Sequence, residues 1–313
     1  MRYSNKIDWP NGHDFAFTIF DDTDNATLKN VGPIYSFLKE HGMVTTKSVW
    51  PLKSEVKKPL IGGSTCEDTQ YLKWLLKIKS QGFEIALHNV TNSTSYRENT
   101  IIGIEAFYKY FGHYPISFAN HADCEEGIYW GNYRLSGIYK LLYSIIKFKN
   151  INKYKGHVEN SNLFWGDICK SKIKYVRNFT YNDINTLKQC PYMPYHDPLK
   201  PFVNLFFASS NGNNINAFNK LLDEKNQDRL EEEGGACIVY THFGFGFFNN
   251  NEINKRSAQL ISRLAKKNAW FCTVSELLDF LDSKNDFLNI LKRQERKKLE
   301  KKWFFEKLFK GSY

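Results

Sequence analysis

A chain of 313 residues, 42% hydrophobic and 16% aromatic, is long enough to bury a large core and suits one sizeable α/β domain better than a string of small modules. Six scattered cysteines, at positions 66, 124, 169, 190, 237 and 272, exclude a zinc ribbon or a dense disulfide framework and fit a reducing compartment. The net charge of +10 is concentrated at one end: from Lys292 onward nine basic residues stand against three glutamates, leaving about +4 elsewhere, too little to mark a nucleic-acid binder.

Short apolar runs alternate with amphipathic stretches along the chain. Residues 15–20 read as a buried strand that delivers Asp21 and Asp22 onto the loop at its C-terminal end. A helix follows over about 30–41, with Thr23 or Asp24 as candidate N-caps. Strands are expected near 44–50, 83–87, 116–119, 174–179, 203–208, 236–241 and 270–274, and helices near 68–79, 97–111, 136–148, 215–225 and 253–267. This alternation predicts a parallel sheet, and its length suits a closed or nearly closed barrel. The stretches 120–137 and 150–171 are poorly periodic and read as long loops that shape a pocket. The glycine-rich run 243–247 lacks the context of a phosphate loop and reads as a flexible pocket wall.

The chain divides into a barrel over residues 1–284 and a basic amphipathic helical tail over 285–313. The tail carries Leu288, Leu291, Leu299, Trp303, Phe305 and Phe309 broadly along one side, which suits either packing on the barrel or contact with an anionic membrane surface. No interleaved aromatic motif of an RNA-binding sheet accompanies the basic residues, so no nucleic-acid partner is expected. The first residues lack an apolar signal core and no stretch reaches bilayer-spanning length. The expectation is a cytoplasmic protein, peripheral on the inner membrane face where it docks at all.

Candidate chemistry gathers at strand ends. Asp21 and Asp22 close the first strand and His88 closes the strand at 83–87; in parallel α/β folds such ends converge. An imidazole and two carboxylates meeting there can hold a divalent ion such as zinc, with an uncoordinated acid acting on water. His242 follows the strand at 236–241 and can give a proton at neutral pH. His157 and His196 stand beside acids and either line the site or cap turns, and Trp50, Trp130 and Trp165 either stack on a sugar or pack in the core.

Phe20-Asp21-Asp22-Thr23, then Gly82 to His88 with Asn92 four positions on, then Ile238-Val239-Tyr240-Thr241-His242, resemble the ordered motifs of the polysaccharide deacetylases, carbohydrate esterase family four, over about residues 14–282. The resemblance implies a distorted (β/α) barrel of about seven repeats and metal-dependent removal of an N-acetyl or similar acyl group from a sugar, such as a glycan precursor or lipid-linked saccharide. It implies Asp21 as catalytic base, Asp22 and His88 as metal ligands, His242 as general acid, and zinc as the expected ion. The family's second ligating histidine corresponds to Asn92, a neutral oxygen donor weaker toward zinc than imidazole. Either Asn92 completes the site or His121, after the next strand, does so. The arginine the family places after this strand is missing, and Arg134 and Arg177 are the alternatives. Those departures motivate a competing expectation, a catalytically lapsed barrel that binds glycans or protein partners.

Overall fold

Parallel strands buried on both faces form the centre of the molecule in the computed structural model, which describes residues 7–56, 59, 61–146, 152–284 and 289–310. In chain order the elements are β1 (Phe15–Asp21), α1 (Leu28–Glu40), β2 (Thr46–Val49), α2 (Thr69–Ser80), β3 (Glu84–Leu87), α3 (Arg97–Phe111) and β4 (Ser117–Phe118). They continue with α4 (Gly137–Ile146), α5 (Gly166–Lys172), β5 (Tyr175–Tyr181), α6 (Thr186–Gln189), β6 (Leu205–Asn211), α7 (Ile215–Leu221), α8 (Glu224–Glu232) and β7 (Ala236–Thr241). A small hairpin, β8 (Phe248–Asn249) and β9 (Glu252–Ile253), precedes α9 (Lys255–Leu264), β10 (Ala269–Phe271), α10 (Val274–Ser283) and α11 (Arg293–Lys310).

Strands β1 to β7 pair in sequence order and β7 returns to β1, closing a seven-stranded parallel barrel surrounded by helices. Every residue of β1, β5 and β7 is buried, as expected of strands covered by helices outside and side chains inside. β1 has a divided edge. β10 pairs with its first half, from Phe15 to Phe17, and β2 pairs only with Phe20 and Asp21. An eighth short strand thus wedges the barrel apart at its N-terminal end, while the C-terminal end, where Asp21 lies, stays closed.

Local chemistry explains where expectation and structure part. α1 is capped by Thr27 with Asn30 in a reciprocal capping box, so neither Thr23 nor Asp24 serves that purpose. The helix expected over 215–225 is two helices, because Asp223 accepts from the Asn226 amide and starts a new one. The last strand stops at Phe271, since Thr273 and Glu276 form a capping box that launches α10. The run at 243–247 is anchored at its start and exposed at Phe245 and Gly246. Phe243 is fully buried, and a Cβ on Gly244 would lie 2.4 Å from the Asp24 carbonyl oxygen, so glycine alone allows the loops after β7 and β1 to touch.

α11 lies on the barrel. Leu299, Trp303 and Phe304 belong to the main core, and the Arg296 Nε donates to Asp197 at 2.9 Å. All six cysteines are free and buried. No helix among the described residues is long and apolar enough to cross a membrane.

Candidate metal and active site

Adjacent residues of a strand point to opposite faces, and at the end of β1 this separates the two aspartates. Asp21 turns toward the helix layer. Its carboxylate lies 2.9 Å from Lys47 Nζ, its partner in register on β2, and accepts from the Tyr35 hydroxyl at 3.1 Å and the Phe243 amide at 2.9 Å. Neither side chain of the pair is exposed. Burial pulls the Lys47 ammonium down, and the Asp21 charge more than compensates, raising its pKa.

Asp22 turns into the barrel and meets Arg177 of β5 in a bidentate pair, Nη1 to Oδ1 at 2.9 Å and Nη2 to Oδ2 at 2.5 Å. Burial opposes ionisation of Asp22, but Arg177, His88 and His242 hold its pKa below the usual carboxylate range. Arg177 reaches this position from a distant strand, passing 4.4 Å from the centre of the Tyr240 ring.

Two residues on, Asp24 occupies the centre of a polar cluster. Its Oδ1 is 3.1 Å from His88 Nε2 and 3.5 Å from His121 Nε2, and its Oδ2 is 3.5 Å from His242 Nε2. One ligand atom from each of Asp24, His88 and His121 lies within 4.8 Å of the others. Burial works against the Asp24 charge, yet the surrounding imidazoles depress its pKa strongly. His88 is desolvated as well, and the carboxylates of Asp22 and Asp24 raise its pKa above the ordinary value. Desolvation dominates at His121 and lowers its pKa to about 4.

Second contacts aim the rings. His88 Nδ1 donates to the Ala119 carbonyl at 2.9 Å and His242 Nδ1 to that of Asn213 at 2.7 Å, which turns each Nε2 toward the acids. His121 differs: its Nδ1 receives the Asp123 amide at 3.3 Å, a contact that favours the proton on Nε2. Its backbone amide donates to Asn89, which in turn donates to the buried Glu126. Trp50 is stacked on His88 and edge-on to His121, sealing the cluster from below.

Asp22, Asp24, His88, Arg134, Arg177 and His242 line one cavity of about 180 Å³. Asp21 is not among its lining residues, and neither is Asn92, whose side-chain amide donates to the Ile61 carbonyl at 2.6 Å. His157 packs between Tyr129 and Tyr133, His196 Nδ1 binds the Asn204 carbonyl, and Trp50 and Trp165 are core residues, whereas Trp130 lines the cavity. The residue that sequence reasoning passed over is Asp24. Its signal was present as an Asp-x-Asp spacing, which puts Asp22 and Asp24 on one side of an extended chain.

An aspartate and two histidines are the donor set of a catalytic divalent-metal site with an open position, and the second contact of His88 suits that use. No family model matches the sequence, and no curated protein does. Solved structures do. A protein of Mycobacterium smegmatis described as a polysaccharide deacetylase matches with a TM-score of 0.50 at 12% identity, over 93% of this chain and 98% of its own. A GH57-type branching enzyme from Pyrococcus horikoshii matches with a TM-score of 0.47 at 12% identity, over 89% of this chain and 72% of its own. A variant of a peptidoglycan deacetylase from Bacillus subtilis matches with a TM-score of 0.41 at 12% identity, over 94% and 99%. At this identity the first likeness concerns the fold, and the fold is the barrel that the motif order implied.

Proposed function

We propose that this protein is a metal-dependent hydrolase that removes an N-acetyl or related acyl group from a sugar. The observation that carries the reading is the meeting of Asp24, His88 and His121 within ligand distance, with Asp24 and His88 lining the cavity beside Asp22 and His242 and His121 set behind its wall. In this reading the roles expected of the adjacent aspartates move along the chain: Asp24 takes the metal-ligand role expected of Asp22, and Asp22 takes the base role expected of Asp21. His121, not Asn92, is the third ligand. A divalent ion held there, zinc by donor type, would polarise the acyl carbonyl and acidify water.

The chain's own groups supply the rest. Asp22 is ionised and oriented by Arg177, and its carboxylate takes the proton of the attacking water. His242 Nε2 faces the same space at 3.9 Å from Asp22 and delivers a proton to the departing amine. A barrel that binds glycans without hydrolysing them is the competing reading, and the amide that faces His121 Nδ1 favours it.

Metal analysis of the purified protein, together with acetate or formate release from N-acylated sugars before and after chelation, decides between them. About one metal per chain and chelator-sensitive release are expected. A metal-free protein that releases no acyl group even after zinc, cobalt or manganese is added would sink the hydrolase.

A further inference from the structure

The cavity holds a cation that no carboxylate among the described residues pairs with. Arg134 lies in the short 3-10 turn Gly131–Arg134, is 3% exposed, and lines the cavity together with Asp24 and His88. Its guanidinium is stacked on Trp130, 3.2 Å from the ring centroid, and stands 5.2 Å from that of Trp303. Neither Nε nor Nη2 has a hydrogen-bond partner among the described residues. The adjacent cation, Arg177, is already matched by Asp22.

A buried guanidinium without a counter-charge is costly. The indole faces of Trp130 and Trp303 attract the cation but accept no hydrogen bond from its in-plane donors. Burial pulls the Arg134 pKa down to about 10, so the group remains charged at neutral pH. Nε and Nη2 together form the edge of the fork that fits two oxygens of one carboxylate or phosphate. We propose that Arg134 binds an oxyanion carried by the substrate, so that the preferred substrate is an N-acylated sugar bearing a phosphate or carboxylate. The acyl group in this statement rests on the hydrolase reading above; the anion rests on Arg134 alone.

Calorimetric titration of the chelator-treated protein with N-acetylglucosamine 1-phosphate and with N-acetylglucosamine reads the anion site without turnover. The phosphorylated sugar is expected to bind about tenfold to a hundredfold more tightly, the range of a charge-assisted hydrogen-bonded pair. Arg134→Met erases the difference and Arg134→Lys keeps part of it. Competition by an N-acetylated uronic acid and by a lipid-linked sugar diphosphate in detergent micelles ranks carboxylate, free phosphate and lipid headgroup. Equal wild-type affinity for charged and neutral sugars overturns the proposal, as does an Arg134→Met protein that weakens both equally. Acyl release followed in parallel keeps the two readings apart. Discrimination without release sinks the hydrolase and leaves the anion site standing, whereas release without discrimination does the reverse.

A separate feature borders the same cavity. α4 buries none of its side chains, and Ile138, Leu141 and Ile145 are 59%, 57% and 64% exposed. Its Tyr139 and Tyr143 lean on Phe304 and Trp303 of α11, whose last turn exposes Phe305, Leu308 and Phe309. Exposed Lys297, Lys298 and Lys301 continue that outer face of α11, and Tyr143 and Lys307 line the cavity, so this patch adjoins its mouth. Contiguous apolar surface of this kind marks an interaction site. A second copy would bring lysines against lysines, whereas an anionic bilayer meets both the apolar side chains and the charge. We infer that the α4–α11 face docks on an anionic membrane with the cavity mouth toward the lipid. Co-sedimentation with vesicles containing phosphatidylglycerol is expected, falling at least tenfold with pure phosphatidylcholine and with the paired substitution Ile145→Ser and Phe309→Ser. Both positions are exposed, so the thermal midpoint of that variant should match the wild type. Equal partition into the two vesicle types, or a dimer in light scattering that the same substitutions dissolve, overturns the inference.

Discussion

The carboxylate of Asp21 lies between Lys47 and the Tyr35 hydroxyl under the helix layer, and the carboxylate of Asp22 lies against Arg177 inside the barrel. One step along a strand reverses the side chain, so the two acids are exposed to different chemistry. Removing Asp21 leaves Lys47 buried without its counter-charge, a change that costs about 3–5 kcal/mol for pairs of this kind. Asp21→Ala is therefore expected to lower the urea midpoint sharply, with metal content per folded chain unchanged. Asp24→Asn should do the opposite, losing metal while its unfolding free energy in excess chelator stays within about 1 kcal/mol of the wild type stripped the same way, as measured by elemental analysis and urea titration. Asp22→Asn should keep the metal and lose acyl release. If Asp21→Ala removed the metal and Asp24→Asn did not, the assignment at this scale would be wrong.

At the scale of elements, the site depends on how closely two loops approach. Gly244 touches the backbone of Asp24 and Asn25, and its own carbonyl accepts from the Asn25 side chain at 3.1 Å. Gly244→Ala would force the β1 loop outward, at a cost of about 1–3 kcal/mol for an overpacked position, and should weaken metal retention more than its loss of stability explains. Equilibrium dialysis against a metal buffer checks it. α11 depends on a different contact. Asp197 is buried beside Lys200 and Arg296, and although burial opposes its charge, the two cations hold its pKa below the usual carboxylate range. A carboxylate depressed in the folded state contributes stability that is complete above the unfolded value near 3.9 and is lost as pH falls through the lower folded value. The wild type should therefore lose thermal stability on acidification more steeply than Asp197→Asn, and parallel slopes in a melting series over that range would refute the coupling.

Over the whole molecule, closure makes the barrel one cooperative unit. β1 pairs with β7, β2 and β10, and its core is continuous with Leu299, Trp303 and Phe304 of α11. Trp303 is fully buried, and truncating a core tryptophan costs about 3–5 kcal/mol. Trp303→Ala should shift a single unfolding transition for the entire chain, followed by far-ultraviolet circular dichroism and tryptophan fluorescence together. A separate early transition confined to the C-terminal helix would show that α11 is an independent appendage.

The sequence by itself determined the alternation of strands and helices that suits a closed or nearly closed barrel and the loops on which chemistry sits, because buried parallel strands leave unbroken apolar runs such as Phe15 to Phe20 and strand ends leave polar residues just beyond them; the count of about seven repeats came from the resemblance of its motifs. His88, His121 and His242 were legible for that reason. Which carboxylate meets them was not, because the choice among Asp21, Asp22 and Asp24 depends on the pleat at the end of β1 and on Arg177 arriving from β5, 155 residues away. Only the closed tertiary structure decides such long-range partners. It brings a cation to one acid and imidazoles to another, and it leaves Arg134 with two unmet donors beside them.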